Sequence, residues 1–196
     1  MSFDTTLVNR RLHRFDGHDR IWLFGYGSLI FKADFAYLDC RPATASGWVR
    51  RFWQGSHDHR GTVVQPGRVL TLVGEPDARC CGMAYLITPA VFDHLDLREK
   101  NGYLRQVIEI DLHGGMTVPA LTYVAAPDNA AYLGAAPEAD IATQIATAHG
   151  PSGSNRDYVY ALAAALRSLG AHDAHVFAIE QHLHALECAQ PPSPFF

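Results

Sequence analysis

A short apolar run, Ile21-Trp22-Leu23-Phe24, passes directly into Gly25-Tyr26-Gly27-Ser28-Leu29-Ile30. A turn of this composition can aim several backbone N–H groups at one point, and such a nest holds a carboxylate or an oxyanion. The Ser28 hydroxyl adds a donor. A plain tight turn has the same composition, so the pattern alone leaves both readings open. A dinucleotide site is the weaker idea. Ile30 stands where the third glycine of GxGxxG belongs, and Cys40-Arg41 supply no acidic partner for a ribose.

Glu99 is the second group with chemistry in it. It follows Leu95 by four residues and Phe92 by seven, so on a continuing helix it shares their buried face. A desolvated carboxylate has a raised pKa. If Gly102 caps the helix, the negative end of the macrodipole pushes the same way. An acid tuned in that direction can take up and return a proton near neutrality. The competing reading is an ordinary ion pair with Arg98, Lys100 or Arg105.

Two polar loops are weaker candidates. In Gln54-Gly55-Ser56-His57-Asp58-His59-Arg60-Gly61 the HxH pair lacks a third metal ligand, and an Arg and a Ser reaching an anion is the better functional reading. In Gly150-Pro151-Ser152-Gly153-Ser154-Asn155 helix capping by Ser154 or Asn155 accounts for the composition. There is no GxSxG elbow and no phosphate-binding GxxxxGK[ST] loop. Cys80-Cys81 have no local His pattern and read as packing or surface thiols.

The elements that must position these groups are short strands first and helices last. Apolar runs and alternation predict strands at 21–24, 48–53, 69–73, 82–87, 104–112 and 117–124. Thr88-Pro89 predicts an N-cap and first turn for a helix carrying Val91, Phe92 and Leu95. Further helices are expected from near Pro137, over about 157–169 with Gly170 at the stop, and over about 173–186. Strands in the first two thirds and helices at the end favour an α+β fold over a doubly wound sheet. Residues 1–20 read as a loose lead-in, 21–187 as one domain, and 188–196, with Pro191, Pro192 and Pro194, as a frayed tail.

Composition narrows the class. At 196 residues, 48% hydrophobic and 18% charged, the chain can bury a core and is not a disordered one. A net charge of −4 offers no basic footprint for nucleic acid and no polybasic membrane anchor. The polar start Met1–Arg20 has no apolar core of a secretory signal, and no apolar run spans a bilayer. The four cysteines, with no CxxC, fit reduced thiols in a cytoplasmic protein.

Taken in order, the motifs resemble the ChaC family of γ-glutamylcyclotransferases. They are Phe24–Ile30, Arg50–Ser56 with Asp58–Gly61, Pro66–Val69 with Thr71–Val73, Arg98–Lys100 with Gly102-Tyr103, Tyr132–Gly134, and Gly150–Gly153 with Asn155 and Tyr158. The resemblance covers about residues 21–187. Departures are small: Leu70 in place of a frequent valine, a longer N-terminal lead, and the Cys80-Cys81 pair. The resemblance implies a small mixed β-barrel with flanking helices. It also implies cleavage of glutathione to 5-oxoproline and cysteinylglycine with no metal or cofactor, Glu99 as catalytic residue, and Gly25, Tyr26, Gly27, Ser28, Leu29 and Ile30 as the substrate loop. Tyr26 and Tyr103 are then expected to wall the pocket, and Arg60 or Arg68 to meet the glycine-end carboxylate. Other γ-glutamyl amino acids or amines, and a non-catalytic glutathione-binding module, remain as alternatives. Nothing in the sequence decides between monomer and dimer.

Overall fold

The computed structural model describes residues 4–12, 15 and 17–189. Helix α1 (Thr6–Leu12) precedes strand β1 (Ile21–Gly25), which leads into a 3₁₀ turn at Ser28–Ile30. Two long strands follow, β2 (Asp39–Ser56) and β3 (Gly67–Ile87), then helix α2 (Val91–Arg98) and strands β4 (Tyr103–Leu112) and β5 (Met116–Ala125). The chain ends with α3 (Glu138–Thr147), the two-residue strands β6 (His149–Gly150) and β7 (Gly153–Ser154), α4 (Asn155–Ser168) and α5 (Ala174–Ala189).

The order β1-β3-β2-β4-β5 closes into a barrel, antiparallel throughout except where β1 meets β5 in parallel, Leu23 opposite Leu121. Closure joins the outer strands, though β1 meets β5 at one residue pair and β4 meets β2 at two. The fold is therefore α+β, a small mixed barrel with flanking helices. One apolar core, with Phe52, Leu70, Ile145, Leu162 and Ile179, lies between the barrel and α3–α5. A second, with Leu23, Ile87, Phe92, Leu95 and Leu121, lies under α2.

Three expectations are corrected. The strands expected at 69–73 and 82–87 are halves of one strand, β3. Ser46 faces Arg79 and Trp48 faces Gly74, so residues 75–78 bulge out opposite Gly47 alone. Pro76 has no N–H for a ladder, and Asp77 takes φ 64°, a left-handed turn that Asp tolerates. The lead-in is not loose over Thr6–Leu12: it is a helix whose Asn9 is fully buried. The short amphipathic stretch showed little periodicity because its buried residues are polar. The tail's first residues, Cys188 and Ala189, continue α5, while residues 190–196 lie outside the described residues.

Candidate active site

Helix α2 decides where Glu99 goes. It starts at Val91 rather than at the expected Thr88-Pro89, which form a turn before it (Val91 N to Thr88 O, 3.1 Å). Phe92 and Leu95 are buried as expected. The helix stops at Arg98, earlier than a Gly102 cap would allow, and Glu99 is its C-cap, with its N–H on Leu95 O at 2.8 Å. Gly102 instead makes the following turn at φ 81°, where an added Cβ would lie 2.5 Å from Asn129 Oδ1. Glu99 thus ends the helix with its N–H still in the i→i−4 ladder. The fully buried carboxylate of the helix is Asp96, bound by Arg105 Nε (2.9 Å), Arg105 Nη2 (2.5 Å) and the Tyr123 hydroxyl (2.7 Å). Asp96 therefore takes the Arg105 that could have paired with Glu99. Arg98 remains beside Glu99, Nε to Oε1 at 3.3 Å.

Glu99 stands where two hollows meet. The outer one is an open cleft. Ser28, Ser56, His59, Arg60, Tyr103 and Tyr158 line it. The inner recess is walled by Gly25, Tyr26, Gly27, Ser28 and Leu29, with Leu70 and Thr122 behind. Glu99, Ser28, Tyr103 and Tyr158 belong to both. The Glu99 side chain is 19% exposed.

The 25–30 turn is pinned from several sides. Ile30 N bonds to Gly27 O at 3.0 Å, closing the 3₁₀ turn, so the N–H groups of Gly27, Ser28 and Leu29 precede its first internal bond. The Tyr26 hydroxyl donates to Tyr123 O (2.6 Å), and Tyr26 O accepts from the buried Arg50, which pairs with Asp173 at 2.9 Å. Gly27 runs close beneath Tyr158: a Cβ there would sit 3.0 Å from the phenol oxygen. Ser28 Oγ accepts from Arg98 Nη2 (2.9 Å), so one guanidinium touches both the turn and Glu99.

Most of the expected site residues come together here; two do not. Ile30 is half-buried and packs on the core instead of lining the cleft. Arg68 is a structural tie: its guanidinium donates to Gln144 Oε1, Phe52 O and Gly134 O, and its backbone is clamped by the Asn155 amide. Arg60 does line the cleft, bonded to Ser154 O (3.1 Å) and 5.5 Å from the Tyr158 ring. Ser154, of the second polar loop, caps α4 by accepting from Asp157 N. Sequence reasoning named Arg98 only as a possible ion-pair partner of Glu99 and Tyr158 only as a motif residue; neither was expected in the cleft, and Tyr158 shares a helix face with the buried Leu162 and so reads as core by spacing. His59 and Ser152, 3.1 Å apart at the cleft wall, carried no spacing signal because 93 residues separate them. Among the described residues no group of three His, Cys, Asp or Glu side chains is placed to hold a metal.

Residues 21–186 match the family of ChaC-like proteins. The chain belongs to this family. It is 44% identical over 168 residues to γ-glutamylcyclotransferase 2-3 of Arabidopsis thaliana, covering 80% of this chain and 84% of that one. It is 41% identical over 169 residues to glutathione-specific γ-glutamylcyclotransferase 1 of Homo sapiens, covering 81% and 76%. Among solved structures, a γ-glutamyl cyclotransferase specific to glutathione from yeast superposes with a TM-score of 0.81 at 30% identity, covering 86% of this chain and 97% of that one.

The electrostatics of the ChaC-like cleft follow from enclosure. Burial raises the Glu99 pKa above the ordinary carboxylate value; Arg98 and His59 pull it down without cancelling the rise, and Asp34 and Asp58 add to it. Its place at the C-terminus of α2 acts in the same direction. Tyr26 and Tyr103 are pushed well above the usual phenol value, first by burial, and Tyr158 rises for the same reason, with Glu99 adding to each. All three therefore keep their hydroxyl protons. The Tyr26 and Tyr103 hydroxyls are spent on backbone carbonyls, Tyr123 O and Leu70 O. They shape the walls, while Glu99 brings a carboxyl of raised pKa to the cleft.

Proposed function

We propose that this ChaC-like chain is a glutathione-specific γ-glutamylcyclotransferase, releasing 5-oxoproline and cysteinylglycine, with Glu99 as general acid and base. The reading is carried by one observation: a carboxylate of raised pKa at the junction of a recess walled by the 25–29 turn and an open cleft. The names of its relatives support the substrate.

The reaction needs no nucleophile from the protein. The γ-glutamyl α-amine nitrogen attacks the γ-carbonyl carbon of the same residue, and a C–N bond closes the five-membered ring. Glu99 takes the proton that the amine loses. The carboxyl then delivers it to the cysteinyl nitrogen as the old amide C–N bond breaks, and the carboxylate is regenerated. Holding amine over carbonyl contributes up to ~7–11 kcal/mol in the best intramolecular cases. The recess walled by Gly25–Leu29 takes the γ-glutamyl group, its first-turn amides facing the α-carboxylate or the developing oxyanion. The outer cleft takes the cysteinylglycine, whose carboxylate meets Arg60. The burial of Arg60 strengthens such a contact.

The decisive experiment incubates the purified chain with glutathione and follows 5-oxoproline and cysteinylglycine by mass. Glutathione turnover with other γ-glutamyl amino acids left intact is the expected result. Equal release from many γ-glutamyl compounds would point to a broader cyclotransferase, a reading kept in view by the Arabidopsis relative whose name carries no substrate. Binding with no product would make the chain a glutathione-binding module. A cytoplasmic setting suits both the substrate and four cysteines that are free thiols. Among the described residues no helix is long and apolar enough to cross a membrane.

A further inference from the structure

Strand β4 is paired along its whole length with β5, but its other edge meets β2 only at Thr44/Asp111 and Ala43/Leu112. The first residues of β4 thus present unpaired backbone groups beside the turn that carries Glu99. The segment 4–12, outside the residues that match the family, covers them. Asn9, fully buried, acts as a neighbouring strand's peptide group would. Its Nδ2 donates to Tyr103 O (3.0 Å) and its Oδ1 accepts from Arg105 N (2.9 Å). Thr5 N donates to Lys100 O (2.9 Å), and Thr5 Oγ1 lies 2.7 Å from Tyr103 O. Asp4 forms a β-bridge with Asn101. On the opposite side, Gln54 Nε2 donates to Asn101 O (2.8 Å) and Asn101 Nδ2 to Gly55 O (2.9 Å). The turn 99–102 is held between β2 and the N-terminal segment, with two fixed points beyond Glu99 supplied by residues 4–9.

We infer that Asn9, with Thr5, is a positioning residue for the cyclisation: the N-terminal segment fixes the 99–103 turn so that the Glu99 carboxylate faces the cleft. This rests on the proposed function for its catalytic readout. The buried side-chain amide in place of a strand explains why the segment is polar inside. Misplacing a proton-transfer group by about 1 Å from a distant substitution lowers turnover on the order of a hundredfold.

The test compares full-length Asn9→Leu, Asn9→Asp and Thr5→Val with Leu183→Ala, a core truncation in α5 remote from the turn. Asn9→Leu is expected to lower kcat roughly ten- to hundredfold, to leave KM little changed, and to move the acid limb of the kcat–pH profile. Asn9→Asp retains the acceptor for Arg105 N and is expected to lose less. Leu183→Ala is expected to lower Tm while kcat, measured below the transition, is kept. Asn9→Leu that loses Tm yet keeps kcat and the acid limb overturns the inference. If Asn9→Leu does not fold, Thr5→Val carries the same expectation and the same refutation. A ¹³C-carboxyl NMR titration of Glu99 separates the two proposals. Wild type that forms no 5-oxoproline defeats the proposed function, while a Glu99 titration unchanged by the Asn9 and Thr5 variants defeats the positioning role.

Discussion

Replacing the Glu99 carboxylate by an amide removes the group proposed to exchange a proton and leaves the shape of the cleft. Glu99→Gln is expected to fold and to lose about 10²–10⁴ in kcat, read as 5-oxoproline formed per enzyme; near-normal turnover in the folded variant would take Glu99 out of the reaction. Stability should move the other way. The folded-state pKa of Glu99 lies above its unfolded value, so the folded chain binds the proton more readily. That stabilising contribution is full below the unfolded pKa and is lost as pH rises through the folded one. At neutral pH Glu99→Gln should therefore unfold at no lower a temperature than wild type, and a large drop in Tm would favour a structural ion pair. Arg98 supplies a separate check. It is the strongest influence holding the Glu99 pKa down, so Arg98→Met should shift the acid limb of the kcat–pH profile to higher pH. It also frees Ser28, and an unshifted limb would mean that the 3.3 Å contact has no electrostatic effect.

At the scale of the element, α2 and β4 are locked by the buried pair Asp96–Arg105, whose guanidinium lies 4.5 Å from the Phe92 ring and 5.0 Å from Phe15. Removing one partner strands a charge without water or counterion. Asp96→Ala is expected to cost about 3–5 kcal/mol in urea unfolding, and a loss under 1 kcal/mol would show that water reaches the site. This pair also marks the limit of what could be read from the sequence. The helix around Phe92 and Leu95 was legible from its apolar spacing, and Glu99 from its continuation. Nothing local told which of Asp96 and Glu99 would take Arg105, because that choice is made by Tyr123 arriving from β5. The joining of 69–73 and 82–87 into one strand was hidden because the polar stretch between them, with Glu75-Pro76-Asp77, carries no strand alternation and forms a bulge. Helix α1 was invisible for a different reason: it is fastened by side-chain hydrogen bonds of Thr5 and Asn9, and these leave no apolar period. The 25–30 segment was legible as a turn from its glycines after an apolar run, but its role was not, because a plain tight turn has the same composition. Arg60 and Arg68 could not be separated, since only the surrounding carbonyls show which guanidinium is already engaged.

Across the whole molecule, the helical layer is joined to the barrel beneath the cleft by His175. Phe52 N, in β2, donates to His175 Nε2 at 3.0 Å, so that nitrogen must be an unprotonated acceptor. Nδ1 then carries the proton and donates to Glu138 Oε1, 3.1 Å away at the start of α3. One neutral ring thus ties α5, β2 and α3 together, and Phe52 packs edge-on against Tyr158, 5.9 Å between ring centres, in the cleft wall. A second proton would place Nε2–H against Phe52 N–H. Burial depresses the His175 pKa below 6.5, and Arg51 adds to that, while the Glu138 hydrogen bond and Asp173 oppose it without cancelling it. The unfolded chain consequently binds a proton that the folded chain refuses. Stability is full above the unfolded pKa, falls as pH drops below about 6.5, and stops falling from this cause once pH has passed the folded value. Carboxylates with depressed pKa values, Glu138 and Asp34 among them, act in a separate and more acidic window. His175→Gln, whose amide oxygen can still accept from Phe52 N, removes the titration. Its urea midpoint should vary less between pH 7 and pH 5 than that of wild type; parallel slopes for the two proteins would show that the loss of stability in this range does not come from His175.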